Sequence, residues 1–409
     1  MVKNMAGEAV TGRKQMIRLA PSERTMWEKP VKEISDSLTD AEVNEKYRIG
    51  ERRLVTESNR EKIPNFVEAL KKPDYMQVRP FYQRRERWDE ERQSRLIESF
   101  IMNIPVPPLF LYEKEFNKYE VMDGQQRITS LKAFYAGEFK LRGLQIWREL
   151  NGRTYSKLPS LVRSGLDRRS ISYIVVLRES TVDEEDAMFL RQTVFERLNT
   201  GGVKLEHQEI RNSLFQGPFN DLLIELSRTN DFRDSWKLPR YSADEHEPKA
   251  EIKTFPMYQK MEDTEIVLRF FALRHGEHYV RGMHGFLDLY MARARAFTDN
   301  DLNVLRSLYS DTLKLARDIY GDLIFHPFDG ESNAWDTRPH RAFYDAVMVG
   351  LSSLLDRREA IVGHREQILE ATKKLFRENE AGTFTGRGNT KKDVQERIAK
   401  YERMLMRFV

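Results

Sequence analysis

The sequence contains no cysteine among its 409 residues. Disulfide bonds and metal sites built from thiolates are therefore excluded, and a reducing compartment is the simplest expectation. Nowhere do about eighteen uncharged apolar residues run together, and the opening stretch MVKNMAGEAVTGRKQM contains no continuous apolar core. We therefore expect no membrane span, no secretion signal and a cytoplasmic location.

A large excess of charge of one sign is also missing. Lysine and arginine number 68 against 64 aspartates and glutamates, so the formal net charge is only +4. Any affinity for nucleic acid must then come from local patches of charge and not from the overall field. The hydrophobic fraction of 40% in a chain of this length is enough for two domains with a substantial core.

Three regions follow from the composition along the chain. Residues 1–55 form a charged N-terminal arm with little that could build a core. Residues 56–240 mix helical and strand patterns, whereas residues 241–409 show helical spacing only. The predicted fold class is therefore α+β, with a small mixed sheet in the N-terminal domain and an all-helical C-terminal domain.

The element pattern in the middle region is specific. IPNFVEALKK reads as a short helix opened by Pro64, and Asp89 is the expected N-cap of the next helix. The segments LFLY (109–112) and KYEVM (118–122) predict two strands joined by a loop containing Asn117, and SYIVVL (172–177) predicts a third, central strand. Helical spacing over residues 183–198 ends at Asn199-Thr200-Gly201-Gly202.

The stretch VMDGQQRITSL at 121–131 places polar residues at the junction of a strand and a helix. Gly124 allows a sharp turn, and the first turn of the next helix carries unpaired N–H groups and the positive end of the helix dipole. Arg127 would add a bidentate contact to an anion there, and Asp123 would cap the helix, hold Arg127 or bind a hydroxyl or a metal. A phosphate site and a capped helix with a solvated first turn both fit these residues.

Three motifs in order resemble the N-terminal domain of GmrSD-type type IV restriction enzymes, in the ParB/sulfiredoxin-like superfamily. The central motif is Asp-Gly-Gln-Gln-Arg at 123–127. Upstream, Pro-Phe-Tyr-Gln-Arg at 80–84 is similar to the family's Tyr-Gln-Arg segment, and downstream, residues 195–205 are similar to its Asn-Thr-Gly loop. The resemblance covers roughly residues 60–215.

This resemblance implies a pocket for a nucleoside triphosphate, with hydrolysis that would need Mg²⁺. It assigns catalytic roles to Asp123, Gln125 and Arg127. It further places seven residues at the nucleotide: Tyr82, Gln83, Arg84, Gly124, Gln126, Asn199 and Thr200.

The implied role is that of a sensor or regulatory component in DNA restriction or anti-phage defence, with DNA, including modified phage DNA, as a partner. The helical half contains no recognisable HNH nuclease pattern. The chain then resembles either the sensor or nucleotide-handling half alone, with a separate nuclease subunit, or a family branch whose helical domain does something else. Two alternatives stay open: the ParB-like domain itself nicks or cleaves DNA, or it is a non-catalytic module switched by nucleotide. The sequence leaves oligomeric state open.

Three histidines, His275, His278 and His284, lie close in the sequence. Imidazoles three residues apart on a helix can share a zinc ion, but Gly276 weakens a helix there and no carboxylate pattern completes a site. We therefore predict no metal site formed by side chains of the protein alone.

Overall fold

The computed structural model describes residues 18–30, 39–48, 55–72, 75–77, 88–177, 192–194, 197, 206–246, 250–380, 382–386 and 388–409. The chain divides into two compact units. We call Ser35–Leu205 the sheet unit, and Met1–Ile34 together with Glu206–Val409 the helical unit.

This division differs from the three regions expected from composition. The boundary lies between Leu205 and Glu206 and not near residue 240, because the helices that follow Glu206 pack into the helical unit. Arg211, for example, is fully buried there and pairs with Glu265 and Asp288. Part of the expected N-terminal arm also belongs to the helical unit, since the buried carboxylate of Glu23 pairs with Arg274.

The sheet unit contains one five-stranded sheet with the order β1-β5-β3-β4-β2. β1–β5 and β3–β4 are antiparallel pairs, whereas β3–β5 and β2–β4 are parallel, so the sheet is mixed. The predicted fold class, a small mixed sheet followed by a mostly helical part, is confirmed. The strands are β1 (Thr56–Lys62), β2 (Met76–Gln77), β3 (Leu109–Glu115), β4 (Lys118–Asp123) and β5 (Ser170–Val176).

Helix α1 (Pro21–Thr25) lies in the helical unit, and α2 to α6 lie in the sheet unit. Apolar side chains of four of these helices pack with those of the strands in a single core that includes Phe66, Ile97, Leu131 and Leu166. Among the described residues of the sheet unit the helices are α2 (Asp40–Arg48), α3 (Ile63–Ala69), α4 (Glu90–Met102), α5 (Gln125–Ala136) and α6 (Ser160–Asp167).

Local signals in the sequence explain these elements. Asp89 caps α4, because its carboxylate accepts a hydrogen bond from the backbone N–H of Arg92 at 2.8 Å. Asn117 turns the chain between β3 and β4 with a φ of 58°. The predicted strands are confirmed, and β5 is an interior strand between β1 and β3. The helix predicted at 183–198 and its Asn-Thr-Gly-Gly end fall almost wholly outside the described residues.

The helical unit is built around long buried helices, and its core includes Phe271, Tyr290, Leu313 and Val347. One two-stranded hairpin, β6 (Phe328–Asp329) with β7 (Ala334–Trp335), interrupts a region that we expected to be all-helical. No described helix has the length and apolarity that crossing a membrane requires. The helices are α7 (His207–Leu214), α8 (Pro218–Ser227), α9 (Asn230–Ser235), α10 (Pro256–Gln259), α11 (Glu262–Leu273), α12 (Gly282–Ala294), α13 (Asp299–Tyr320), α14 (Arg341–Ser352), α15 (Arg358–Gly363), α16 (Arg365–Arg377) and α17 (Lys391–Leu405).

Candidate functional site

The Asp-Gly-Gln-Gln-Arg motif lies at a strand–turn–helix junction, as the sequence predicts. β4 ends at Asp123, Gly124 makes the turn, and α5 begins at Gln125. The other residues that the resemblance places at a nucleotide lie outside the described residues; they are Tyr82, Gln83, Arg84, Asn199 and Thr200. The structure therefore places five of the ten predicted site residues, all from one motif.

Gly124 is required here for two physical reasons. Its φ of 98° is a left-handed conformation that other residues adopt only with strain. A Cβ at this position would also lie 2.3 Å from Cδ2 of Leu109 on the neighbouring strand β3. Glycine thus brings the start of α5 close against the sheet, and as the N-cap residue it supplies no side chain to cap the first turn.

Arg127 is held inside the sheet unit by three acceptors. Its Nη2 donates to Oδ2 of Asp123 at 2.6 Å, and its Nη1 donates to the carbonyl oxygens of Pro107 and Pro108, the latter at 3.2 Å. The side chain of Arg127 is only 11% exposed, and that of Asp123 is 27% exposed. We expected this guanidinium to face a phosphate, whereas in the structure it ties the proline segment and the end of β4 to the helix.

The proline segment explains why the guanidinium turns inward. Pro107 and Pro108 lie in the run IPVPP, which lacks the backbone N–H groups of an ordinary strand and cannot continue a hydrogen-bonded ladder. Their carbonyl groups still need donors when they approach the core. The five N–H groups of an arginine meet that need from a single side chain.

The electrostatic environment of Arg127 is only partly balanced. Burial lowers the pKa of Arg127, and the charge and hydrogen bond of Asp123 offset only part of that shift. The guanidinium stays protonated at neutral pH, since an arginine has a very high intrinsic pKa. Its surroundings therefore disfavour the positive charge that they enclose, and a second anion nearby would lower its free energy.

The two glutamines occupy the first turn of α5. Gln125 is 9% exposed, and the Oε1 of Gln126 lies 3.4 Å from the backbone nitrogen of Trp88, which donates to it. This contact brings the chain just before α4 to the start of α5. The two amide side chains are thus placed beside the positive end of a 12-residue helix, a position that favours an anion.

No group of three or more histidine, aspartate or glutamate side chains suited to a metal ion occurs among the residues that the structure describes. The three histidines noted in the sequence do not form one cluster: His275 and His278 both contact Trp27, on which His278 stacks, and His284 lies apart from them. His275 lies 3.0 Å from Oε1 of Glu23 and accepts the indole N–H of Trp27, whereas His284 stacks on His207.

Residues 29–216 match the family described as "GmrSD restriction endonuclease, N-terminal domain". This part of the chain is a GmrSD-type N-terminal domain. The match covers all three motifs of the sequence and coincides closely with the sheet unit. A search of curated proteins and a search of solved structures each gave no match.

The GmrSD-type domain indicates a component of a restriction or defence system, and this family suggests an interaction with DNA. The family that the sequence motifs indicated is confirmed. The two prolines and Trp88 are contacts of the motif that the sequence analysis missed. The adjoining run IPVPP was a usable signal, because carbonyls of consecutive prolines near a buried arginine need a donor.

Proposed function

We propose that the GmrSD-type domain binds a nucleoside triphosphate at the start of α5 and hydrolyses it as the sensor or regulatory component of a DNA restriction or anti-phage defence system. The observation that carries the proposal is the Gly124 turn, which opens a helix of 12 residues directly after a strand, without a capping side chain from the N-cap position. We assign the fold to the ParB/sulfiredoxin-like superfamily as part of the same proposal.

In this proposal the phosphates approach the helix start, and the protein contributes in two ways. The helix dipole and the amide side chains of Gln125 and Gln126 attract and orient the anion. The guanidinium of Arg127 is fixed by Asp123 and the proline carbonyls. Its positive charge therefore attracts the phosphates from within the domain and not by direct contact. Arg127 is thus a positioning residue whose incompletely balanced charge favours an anion.

Mg²⁺ would accompany the triphosphate and neutralise part of its charge. Asp123 is the side chain of the motif that would orient the ion or its water, since Arg127 engages one of its two carboxylate oxygens and the side chain is partly exposed. Tyr82, Gln83, Arg84, Asn199 and Thr200 complete the proposed pocket on the strength of the resemblance alone. A separate subunit would then cut the DNA.

The test is a titration of the whole chain with each of the four nucleoside triphosphates in the presence of Mg²⁺, by calorimetry. We expect saturable binding that Gln126→Glu weakens by about tenfold or more, because a carboxylate beside the phosphates repels them. The substitution preserves the shape of the side chain and the oxygen that accepts from Trp88.

The matched control is Gln367→Glu. Gln367 is exposed and occupies the third position of α16 in the helical unit, so the same change at another helix start leaves nucleotide affinity unchanged. Equal affinity of the wild type and Gln126→Glu, or no saturable binding, overturns the proposal. Release of inorganic phosphate is measured in parallel, and saturable binding without release overturns its hydrolytic half alone.

A further inference from the structure

The segment that follows α5 concentrates positive charge. Residues 140–157, which we call the basic loop, contain five cations against one carboxylate, a surplus of four. The net charge of the whole 409-residue chain is also +4. A chain that is nearly neutral overall therefore contains a short segment whose surplus equals the net charge of the whole chain, which is the kind of local patch that binding to an anionic polymer requires.

The basic loop is held in one conformation by its own backbone and by apolar anchors. The N–H of Leu141 donates to the carbonyl of Arg153 at 3.0 Å, and the N–H of Gly152 donates to the carbonyl of Leu141 at 2.8 Å. Leu141, Leu144 and Leu150 are buried in the core of the sheet unit. The loop is thus closed at its base and anchored along its length.

A buried carboxylate fixes the tip of the loop. Glu98 on α4 is 7% exposed, and its two oxygens accept the backbone N–H groups of Gln145, Ile146 and Trp147 at 3.4, 3.0 and 2.8 Å. A carboxylate that accepts several N–H groups is a strong charge-assisted anchor. The polar backbone of the tip therefore points inward, and its side chains are presented outward.

The outward side chains are cationic. Lys140, Arg148, Arg153 and Lys157 are exposed, and within the described part of the chain none of them lies within 4.0 Å of a carboxylate, whereas Arg142 pairs with Glu90 at 2.9 Å. Hydrogen bonds to carbonyls of the loop orient the two arginines. Nε of Arg148 donates to Gln145 at 3.1 Å, and Nη1 of Arg153 donates to Lys157 at 3.1 Å.

Two apolar side chains stand among these charges. Ile146 is 64% exposed and Trp147 is 38% exposed. The backbone contacts with Glu98 keep these two positions at the surface beside the cations of the loop. An indole beside arginines is suited to contact bases, because it can stack on them or wedge between them.

We propose that the basic loop is a DNA-binding surface, on which the four exposed cations without a carboxylate partner among the described residues contact phosphates and Trp147 contacts bases. The inference rests on the DNA-related part of the proposed function and is independent of nucleotide binding. α5 separates the two places, and its 12 residues span about 18 Å from the Gly124 turn to the loop. Arginine-rich charge with an aromatic side chain favours DNA over an acidic protein as the occupant.

The experiment measures the anisotropy of a labelled duplex of about 25 base pairs titrated with the whole chain, without nucleotide, from about 50 to 200 mM salt. We expect the double variant Arg148→Gln, Lys157→Gln to bind at least about tenfold more weakly at low salt. We also expect its plot of log affinity against log salt to be flatter by about two, since each phosphate contact contributes about 0.9 to the slope.

The matched control removes two lysines of the same unit that are paired with glutamates. Lys71 pairs with Glu68 and Lys118 pairs with Glu115, so Lys71→Gln, Lys118→Gln makes the same change in net charge away from the loop. We expect this control to bind DNA like the wild type. A further variant, Trp147→Phe, should abolish the change in tryptophan fluorescence on binding while it leaves the salt slope unchanged.

The possible outcomes distinguish the proposed DNA surface from the DNA-related role and from nucleotide binding. If the wild type binds DNA and the loop variant has the same affinity and slope, the surface is wrong and the DNA-related role stands. If the wild type does not bind DNA, both fall, while nucleotide binding is unaffected. Equal loss of binding to vesicles of anionic lipid in the loop variant, with no preference of the wild type for DNA, overturns the assignment to DNA.

Discussion

The two units of this protein use their arginines in opposite ways. In the helical unit Arg211, Arg269 and Arg274 are at most 5% exposed, and each has at least one carboxylate partner. In the sheet unit the basic loop exposes Arg148 and Arg153, and no carboxylate of the described residues neutralises them. Nearly equal numbers of acids and bases in the sequence therefore conceal buried arginines paired with carboxylates in one unit and an exposed cationic loop on the other.

Arg127 lies between these two cases. Burial disfavours the charge of Arg269 as well, but the charge and hydrogen bond of Asp345 together with the charge of Glu265 oppose burial, and the pKa of Arg269 is raised. For Arg127 the single carboxylate does not compensate, and burial lowers its pKa. A buried arginine with two carbonyl partners and one carboxylate gains more from an added anion than one that is already fully paired.

The largest expected effect comes from breaking a pair inside the helical unit. Asp345→Asn leaves Arg269 buried without its compensating charge, and we expect a loss of about 3–5 kcal/mol in the free energy of unfolding. Urea denaturation followed by circular dichroism measures it. The control is Glu225→Gln in the exposed pair with Arg306, which should cost less than about 1 kcal/mol. Similar losses in both variants would contradict the contrast between buried and exposed pairs.

An intermediate effect on the free energy of unfolding is expected when acid protonates the carboxylate of Glu23. Burial alone would raise its pKa, but Arg274 and His275 outweigh burial and lower it from the ordinary 4.5 to about 2. A lowered pKa means that the stabilisation is complete above about pH 4.5 and is lost as the pH falls towards about 2. The pair should contribute roughly 3 kcal/mol above this range.

Denaturation of the wild type and Glu23→Gln at pH 7, 5 and 3 tests this expectation. The wild type should lose its advantage over the variant as the pH falls, because the variant has no carboxylate to protonate at this position. A constant difference between the two proteins across this range would show that folding does not lower the pKa of Glu23.

The smallest expected effect on stability concerns the exposed arginines of the basic loop. Arg148→Gln removes an exposed cation that has no carboxylate partner among the described residues, so the free energy of unfolding should change by less than about 0.5 kcal/mol. The same urea denaturation measures it. A loss above about 1 kcal/mol would mean that Arg148 stabilises the loop itself. Its effect on DNA binding would then no longer report a direct contact.

Local patterns predicted much of the sheet unit. The cap at Asp89, the turn at Asn117 and the strands around them follow from residue preferences that act within a few positions. The strand β1 was missed, since TESNREK has a polar face and edge position and shows no apolar alternation. The expected N-terminal arm was misjudged for a related reason, because Glu23 is anchored by residues some 250 positions away.

The candidate site was predictable in its backbone and not in its contacts. Asp123 and Gly124 end a strand and start a helix because of their local conformational preferences, and this junction was predicted. The contact of Asp123 with Arg127 was one of the stated alternatives and is observed. The proline partners were not predicted, since no pattern within the motif specifies that the guanidinium meets the carbonyls of Pro107 and Pro108 about twenty positions earlier.

The sequence by itself determined the family, the class of fold and the strand–turn–helix junction, because each depends on residue types at short, fixed spacing. Only the tertiary structure decided which charges are neutralised and which face the solvent. The physical reason is that the free energy of a charge depends on its burial and on its nearest partners, and these come from segments that are far apart in the chain.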